Sequence, residues 1–210
     1  MTYVKASVRR PAGNPGNGIQ PKDQLVIYDV DDILSFPQRN DAGVVIEDDI
    51  VMKAGRYAIG IYLTPGTAEI SSNSDGETDA EGYTPSVKFN HPGNEQEIRE
   101  FKTNWLSKKC IVVLRYCSGK PADLIGTPCN PCKLSVSYTG SNESNTNELT
   151  FTQISKGDDI AIYRGTDTLE EPVAVVEAGA TDIDYQTDGQ YQLSAGAAKI
   201  AGVTGGSHGS

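Results

Sequence analysis

All four cysteines of the chain stand in one stretch, CIVVLRYCSGKPADLIGTPCNPC, between Cys110 and Cys132. Thiols this close could ligate zinc, cycle between dithiol and disulfide, or pack as small apolar groups. A structural zinc site wants two close pairs of ligands, each with two to four residues inside it. Cys129-Asn130-Pro131-Cys132 has that spacing, but Cys110 and Cys117 lie an odd number of positions apart, so on an unbulged strand their side chains leave by opposite faces. Pro128 and Pro131 also stiffen the loop that would have to wrap the metal. A redox CxxC opens a helix after a strand. Here the flanking GTP and PCKLSVSY read as loop and strand. The opening MTYVKASVRR lacks the apolar run of an export signal, and a reducing compartment disfavours disulfides, although oxidation could follow release from the cell. The expectation is four free cysteines, Cys110 and Cys117 on a strand and Cys129 and Cys132 ordering a loop.

Other chemistry is sparse. Nucleophilic catalysis needs an imidazole beside its nucleophile. His91 lies in a turn, NHPG, and His208 in a glycine-rich tail, neither with an orienting constellation. No glycine motif links a strand to a helix in the way a phosphate cradle does. Asp75, Glu77, Asp79 and Glu81 alternate, and an extended chain would line all four along one face, close to a calcium loop. The match stops there: Gly82 comes two places late, and Ser86 stands where an EF-hand has its bidentate Glu. Asp29-Val30-Asp31-Asp32 and Glu47-Asp48-Asp49 read as solvated strand ends, since a general acid needs a buried, raised pKa. The sequence therefore predicts no catalytic residue, no cofactor and no metal site.

The whole chain narrows the class further. Its 210 residues are 37% apolar, enough for a globular core. With 28 acidic and 18 basic side chains the net charge is −10, which repels polyphosphate and anionic lipid and argues against a nucleic-acid or membrane binder. Twenty-two Gly, eleven Pro and ten Tyr suit many turns between strands.

Along the chain, residues 1–21 read as a flexible arm in which Arg9 and Arg10 could dock on a neighbour's carboxylates. Leu25–Tyr28 and Val44–Ile46 read as strands, and the two apolar runs around Lys53-Ala54-Gly55-Arg56 as a hairpin. Ser71–Gly82 is a polar, solvent-exposed excursion, expected to be mobile in the monomer, and Tyr83–Phe89 resumes the sheet. One helix is predicted over 94–109. Asn94 would be its N-cap and Glu97 the second half of a capping box, with Ile98, Phe101 and Trp105 on one apolar stripe. Cys110–Tyr116, Lys133–Tyr138, Glu148–Ile154, Ile160–Tyr163, Val173–Glu177 and Tyr191–Leu193 are the later strands. This divides the chain into the arm, a β domain over 22–165, strands over 166–194 that close or extend the sheet, and a Gly/Ala/Ser-rich tail over 195–210.

In layout, GYTPSVKFNHPGNEQEIREFKTNWLSKKCIVVLRYC followed by LIGTPCNPCKLSVSYTG and ELTFTQISKGDDIAIYRG resembles the tail tube proteins of long-tailed bacteriophages, over roughly residues 22–165. That resemblance implies a mainly β, sandwich-like or barrel-like domain flanked by one helix. It also implies six copies in a ring, and rings stacked into the tube through which the genome passes. The partners would be further copies, other tail proteins and DNA as non-specific cargo, with no membrane. The protein would be made in the host cytoplasm and end in the virion tail, without enzyme activity. Asp75, Glu77, Asp79 and Glu81 would then lie in the loop between rings, and a carboxylate-lined lumen would repel DNA phosphate. A head decoration, head–tail connecting or distal tail protein shares the same build. Ten tyrosines also leave open a carbohydrate-binding β-sandwich.

Overall fold

The computed structural model describes residues 6–13, 16–117 and 119–169, together with two short strands beyond them. The chain divides into two compact units, Met1–Glu170 and Glu171–Ser210. The first is mainly β, as its composition and patterning predict. Its early strands are β1 (Pro21–Asp29), β2 (Ile33–Ser35), β3 (Val45–Ile46), β4 (Val51–Met52) and β5 (Ile59–Tyr62). Then come β6 (Glu69–Asp75), β7 (Gly82–Pro92), the helix α1 (Gln96–Trp105), β8 (Cys110–Tyr116) and β9 (Ala122–Ile125). β10 (Cys132–Gly140), β11 (Asn145–Gln153) and β12 (Ala161–Tyr163) complete it.

β1 and β8 form the centre because their apolar runs are unbroken. Leu25–Tyr28 and Cys110–Leu114 are buried at every position, which a strand can be only when both its faces are covered. The two run antiparallel, with Leu25 opposite Leu114 and Tyr28 opposite Ile111. β5 flanks β1, β9 flanks β8, β12 flanks β9, and β3 lies parallel on the far side of β12. A second group, in the order β10-β11-β7-β6, is antiparallel throughout. A single ladder pair, Cys110 opposite Cys132, joins the groups.

Alternation along β1 and β8 builds two cores. Leu25, Ile27, Val112 and Leu114 face Val87, Phe89, Leu134, Leu149 and Phe151 of the second group. Phe89 and Phe151 stack with ring centroids 6.3 Å apart. On the opposite face Val26, Tyr28, Ile111 and Val113 pack with Ile46, Leu124 and Tyr163. Burying each large apolar side chain stabilises by about 1.5–3 kcal/mol.

α1 lays Ile98 into the first core with Phe101 and Trp105 beside it. The capping box does not form. Glu95 takes the N-cap position without a side-chain bond, and Asn94 instead accepts from Lys102 Nζ at 2.8 Å. The helix stops at Trp105, and Lys108 leaves it to bond Asp29.

Other expectations are corrected too. A turn does occur at Lys53–Arg56, where Gly55 has φ +72°, but β4 pairs with β2 and β5 with β1, so no hairpin joins β4 and β5. β2 and β1 offer these short runs better partners than each other. Ala122–Ile125, absent from the strands expected above, is one, because β8 needs a neighbour for Val112–Leu114. Ser71–Asp75, read as a mobile excursion, is paired residue for residue with Gly82–Ser86. Ladder bonds there replace apolar burial as the ordering force. The second unit contains β13 (Ile183–Tyr185) antiparallel to β14 (Tyr191–Leu193). Val173–Glu177 and the tail 195–210 lie outside the described residues.

Candidate functional site

The four-stranded group β10-β11-β7-β6 is where the molecule is least self-contained. Each strand alternates. Val87, Phe89, Leu134, Leu149 and Phe151 go inward, so the opposite parity faces solvent. Register aligns that outer face in rows: Lys133, Thr152, Ser86 and Ser71 form one, and Ser135, Thr150, Lys88 and Glu69 the next. The rows are hydroxyl-rich. Ser71 Oγ and Ser86 Oγ are 2.9 Å apart, and Lys88 Nζ meets Glu69 at 3.1 Å, a bond that raises the pKa of the lysine. Glu148, opposite Asn90, and Asp75, opposite Gly82, are the other carboxylates of the face and Lys133 its other ammonium; Lys156 meets Asp75 at 3.1 Å, so the charges nearly balance.

Both edges of this group are open. Among the described residues β6 pairs only with β7, while β10 pairs with β11 along its whole length and with β8 only at Cys132. Alternate residues of the two strands, Ile70, Ser72 and Ser74 on β6 and Leu134, Val136 and Tyr138 on β10, thus carry unpaired backbone groups. Proteins that stay monomeric blunt such edges with proline, bulges or short strands. Neither β6, EISSNSD, nor β10, CKLSVSYTG, contains a proline, and neither ladder shifts register.

The residues singled out from sequence fall as follows. Asp75 ends β6, where Lys156 at 3.1 Å, then the Gly76 amide, hold its carboxyl below the usual range. Glu77, Asp79 and Glu81 lie in the exposed turn beyond it. The Ala80 amide bonds the Glu77 carbonyl at 2.9 Å, and Asp79 has φ +72°. The turn breaks the extended path, so the four carboxylates do not line one face. Arg9 and Arg10 are exposed on the arm, beside a fully exposed Val8. Among the described residues no three His, Cys, Asp or Glu gather as a metal would require. Cys117 and Cys129 are exposed, and Cys110 and Cys132 are buried side by side. Burial pushes the Cys110 thiol up to about 12 and raises that of Cys132 as well. Cys132 opens β10 rather than ordering the loop. Asn130 does that instead, bonding the Ser155 carbonyl at 2.7 Å and Thr127 Oγ1 at 3.0 Å. His91 meets Tyr62 edge-on at 6.2 Å, and burial lowers its pKa. His208 lies outside the described residues.

Two polar clusters escaped the sequence reading. Arg115 bonds Asp167 and the Gly165 carbonyl, and Tyr28 donates to the same carboxylate at 2.5 Å. This holds Gly165–Leu169 against the centre of the sheet. Burial, then Asp167, raises the pKa of Tyr28. Elsewhere Tyr116 donates to Asp123 in a cleft of about 450 Å³ that Gly18, Gln20 and Ile162 also line, and burial raises the Asp123 pKa. Partners separated by 139 positions, as Tyr28 and Asp167 are, leave no local signal. Lys102 carries no sign of its role in the sequence. It reaches Asn147 Oδ1 at 2.6 Å and fixes α1 to β11.

Compared with family models, curated proteins and solved structures, the chain matches none. No described helix is long and apolar enough to cross a membrane.

Proposed function

We propose that this chain is a structural subunit whose copies close into a ring by strand pairing, and that stacked rings form the tube of a long bacteriophage tail. The observation that carries the reading is the pair of open, unblunted edges on one sheet. In the order β10-β11-β7-β6 the outermost strands run in opposite directions. Rotation about an axis along the strands therefore brings β6 of one copy beside β10 of the next in antiparallel sense, and a contact of this kind that closes makes a ring. Six copies, the virion location and the stacking are what the resemblance adds.

The polar face lines the channel in this arrangement, with the apolar face on each subunit's own core. Its balanced charges replace the carboxylate lining expected from net charge. DNA would slide past hydroxyls and compensated ion pairs that neither hold phosphate nor strongly repel it. The net −10 is carried elsewhere, partly on the exposed tip that bears Glu77, Asp79 and Glu81. Tips and arms are then free to contact the next ring. A net charge of −10 makes copies repel one another, and salt screens that repulsion over roughly 8–10 Å at 0.1–0.15 M, so assembly strengthens as salt rises.

Negative-stain images across concentration and salt series test the proposal. Rings and open-channelled tubes are expected. A monomer under every condition, or trimers that bind only preformed heads, would move the protein to another place in the particle.

A further inference from the structure

We infer the register of the contact between copies, an inference that rests on the ring reading. β6 Glu69–Asp75 of one copy pairs antiparallel with Lys133–Thr139 of the next, placing Asp75 opposite Lys133 and Ile70 opposite Tyr138.

Three independent constraints converge on this alignment. The first is which backbone groups are free. The Ile154 amide bonds the Pro131 carbonyl at 3.0 Å, so on β10 the odd residues bond β11 and the amides of Leu134, Val136 and Tyr138 point to the open edge. The Asn90 carbonyl accepts from Thr64 at 2.9 Å, on the β6 side of β7, so Lys88 and Ser86 bond their β6 partners Glu69 and Ser71. Ile70, Ser72 and Ser74 are left pointing outward. Even residues of β6 must meet even residues of β10.

The second constraint is facial. Glu69, Ser71, Asn73 and Asp75 share the polar face with Lys133, Ser135, Ser137 and Thr139. A slip of one residue would drive Ile70 among them. Allowed registers therefore differ by two, and only one overlaps the two seven-residue stretches completely. Its outer pairs are Asp75 with Lys133, Asn73 with Ser135, Ser71 with Ser137 and Glu69 with Thr139. On the inner face Ile70 meets Tyr138, which a single copy leaves 47% exposed. Slipping by two either sets Lys133 against Asn73 or leaves it beyond the end of β6. Both slips lose the ion pair and the Ile70–Tyr138 contact.

The third constraint is closure. Within one copy Lys133 lies in the row of Ser71, and the seam sets it against Asp75, four residues further along β6. Four residues of stagger per four strands make the shear equal to the strand number, which corresponds to a strand tilt of about 36°. The sense of the stagger is the one right-handed coiling requires when the polar face is inside.

Disulfide trapping reads the register directly, in a background with Cys117→Ser and Cys129→Ser so that neither exposed native thiol competes. Ser71→Cys with Ser137→Cys should give a ladder of cross-linked copies on non-reducing gels, whereas Ser71→Cys with Ser135→Cys should give little. In parallel, Lys133→Glu or Asp75→Lys should raise the concentration at half-assembly about 5-fold per seam, and the double reversal should restore it. Preferred trapping of the Ser71/Ser135 pair, or no rescue by the double reversal, overturns this register while wild-type rings leave the ring reading standing. Wild-type protein that never assembles overturns both.

Discussion

The two strand groups solve burial differently. β1 and β8 are covered on both sides, so every residue of Leu25–Tyr28 and Cys110–Leu114 is committed to packing, and nothing there is left for a partner. β7 and β11 use alternate residues for the core and present the rest as a polar plane between two open edges. The contrast separates the part closed by its own packing from the part that leaves edge backbone groups unpaired among the described residues. Both faces of the first group resist change. The second should tolerate change on one face only.

Adjacent residues of β11 test this most sharply. Phe151→Ala removes a fully buried ring and should cost about 3–5 kcal/mol in denaturant unfolding. Thr150→Ala, one position away on the outer face, should cost less than about 1 kcal/mol. Equal costs would mean that the outer face is not free. In the first group, Asp167→Ala leaves Arg115 and Tyr28 without their buried acceptor, a loss of about 3 kcal/mol by the same measurement. Asp167→Asn should lose less, because its amide oxygen still accepts. Asn147→Ala strips the buried acceptor of Lys102 and the bond from Asn147 Nδ2 to the Gly93 carbonyl, for about 1–3 kcal/mol. Helix signal in far-ultraviolet circular dichroism should melt earlier in that variant.

The smallest effect is a slope with pH. Asp123 has a folded pKa above its ordinary 3.8, chiefly through burial. The folded state therefore holds its proton more tightly than the unfolded chain. The stability it contributes is fully present below 3.8 and is lost as pH rises through the raised value. Asp123→Asn should flatten that part of the stability–pH curve and leave neutral-pH stability equal or slightly higher. An unchanged slope would show that Tyr116 and solvent already compensate the charge.

How far the sequence carried follows from where each signal resides. Leu25–Tyr28, Cys110–Tyr116 and Glu148–Gln153 were legible because apolar runs and alternation are local. Ala122–Ile125 was hidden behind a loop composition, SGKPADLIGTP, in which only its place beside β8 makes a strand. Asn94 marked the helix start one residue early, and its side chain accepts from Lys102, which also holds Asn147, so Glu95 takes the cap position. Ser71–Asp75 looked disordered because its order comes from a partner strand and not from its own side chains. The candidate interface was the least legible part. An open edge is a property of strand order, and no residue of β6 or β10 announces it.

The two turns of the outer sheet lie at opposite ends of β7. Asp75 faces Gly82 beside one turn, and Pro92 faces Thr146 beside the other, a span of roughly 33 Å at the usual rise per residue. One end carries Asp75, Glu77, Asp79 and Glu81. The other, Ser141–Ser144, holds Glu143 alone among charged groups. The subunit is thus a vector with an acidic pole and a nearly neutral one. Two acidic poles brought together repel, and an acidic pole set on a neutral one does not. In the proposed tube, rings stacked acidic pole on neutral pole would therefore all share one orientation.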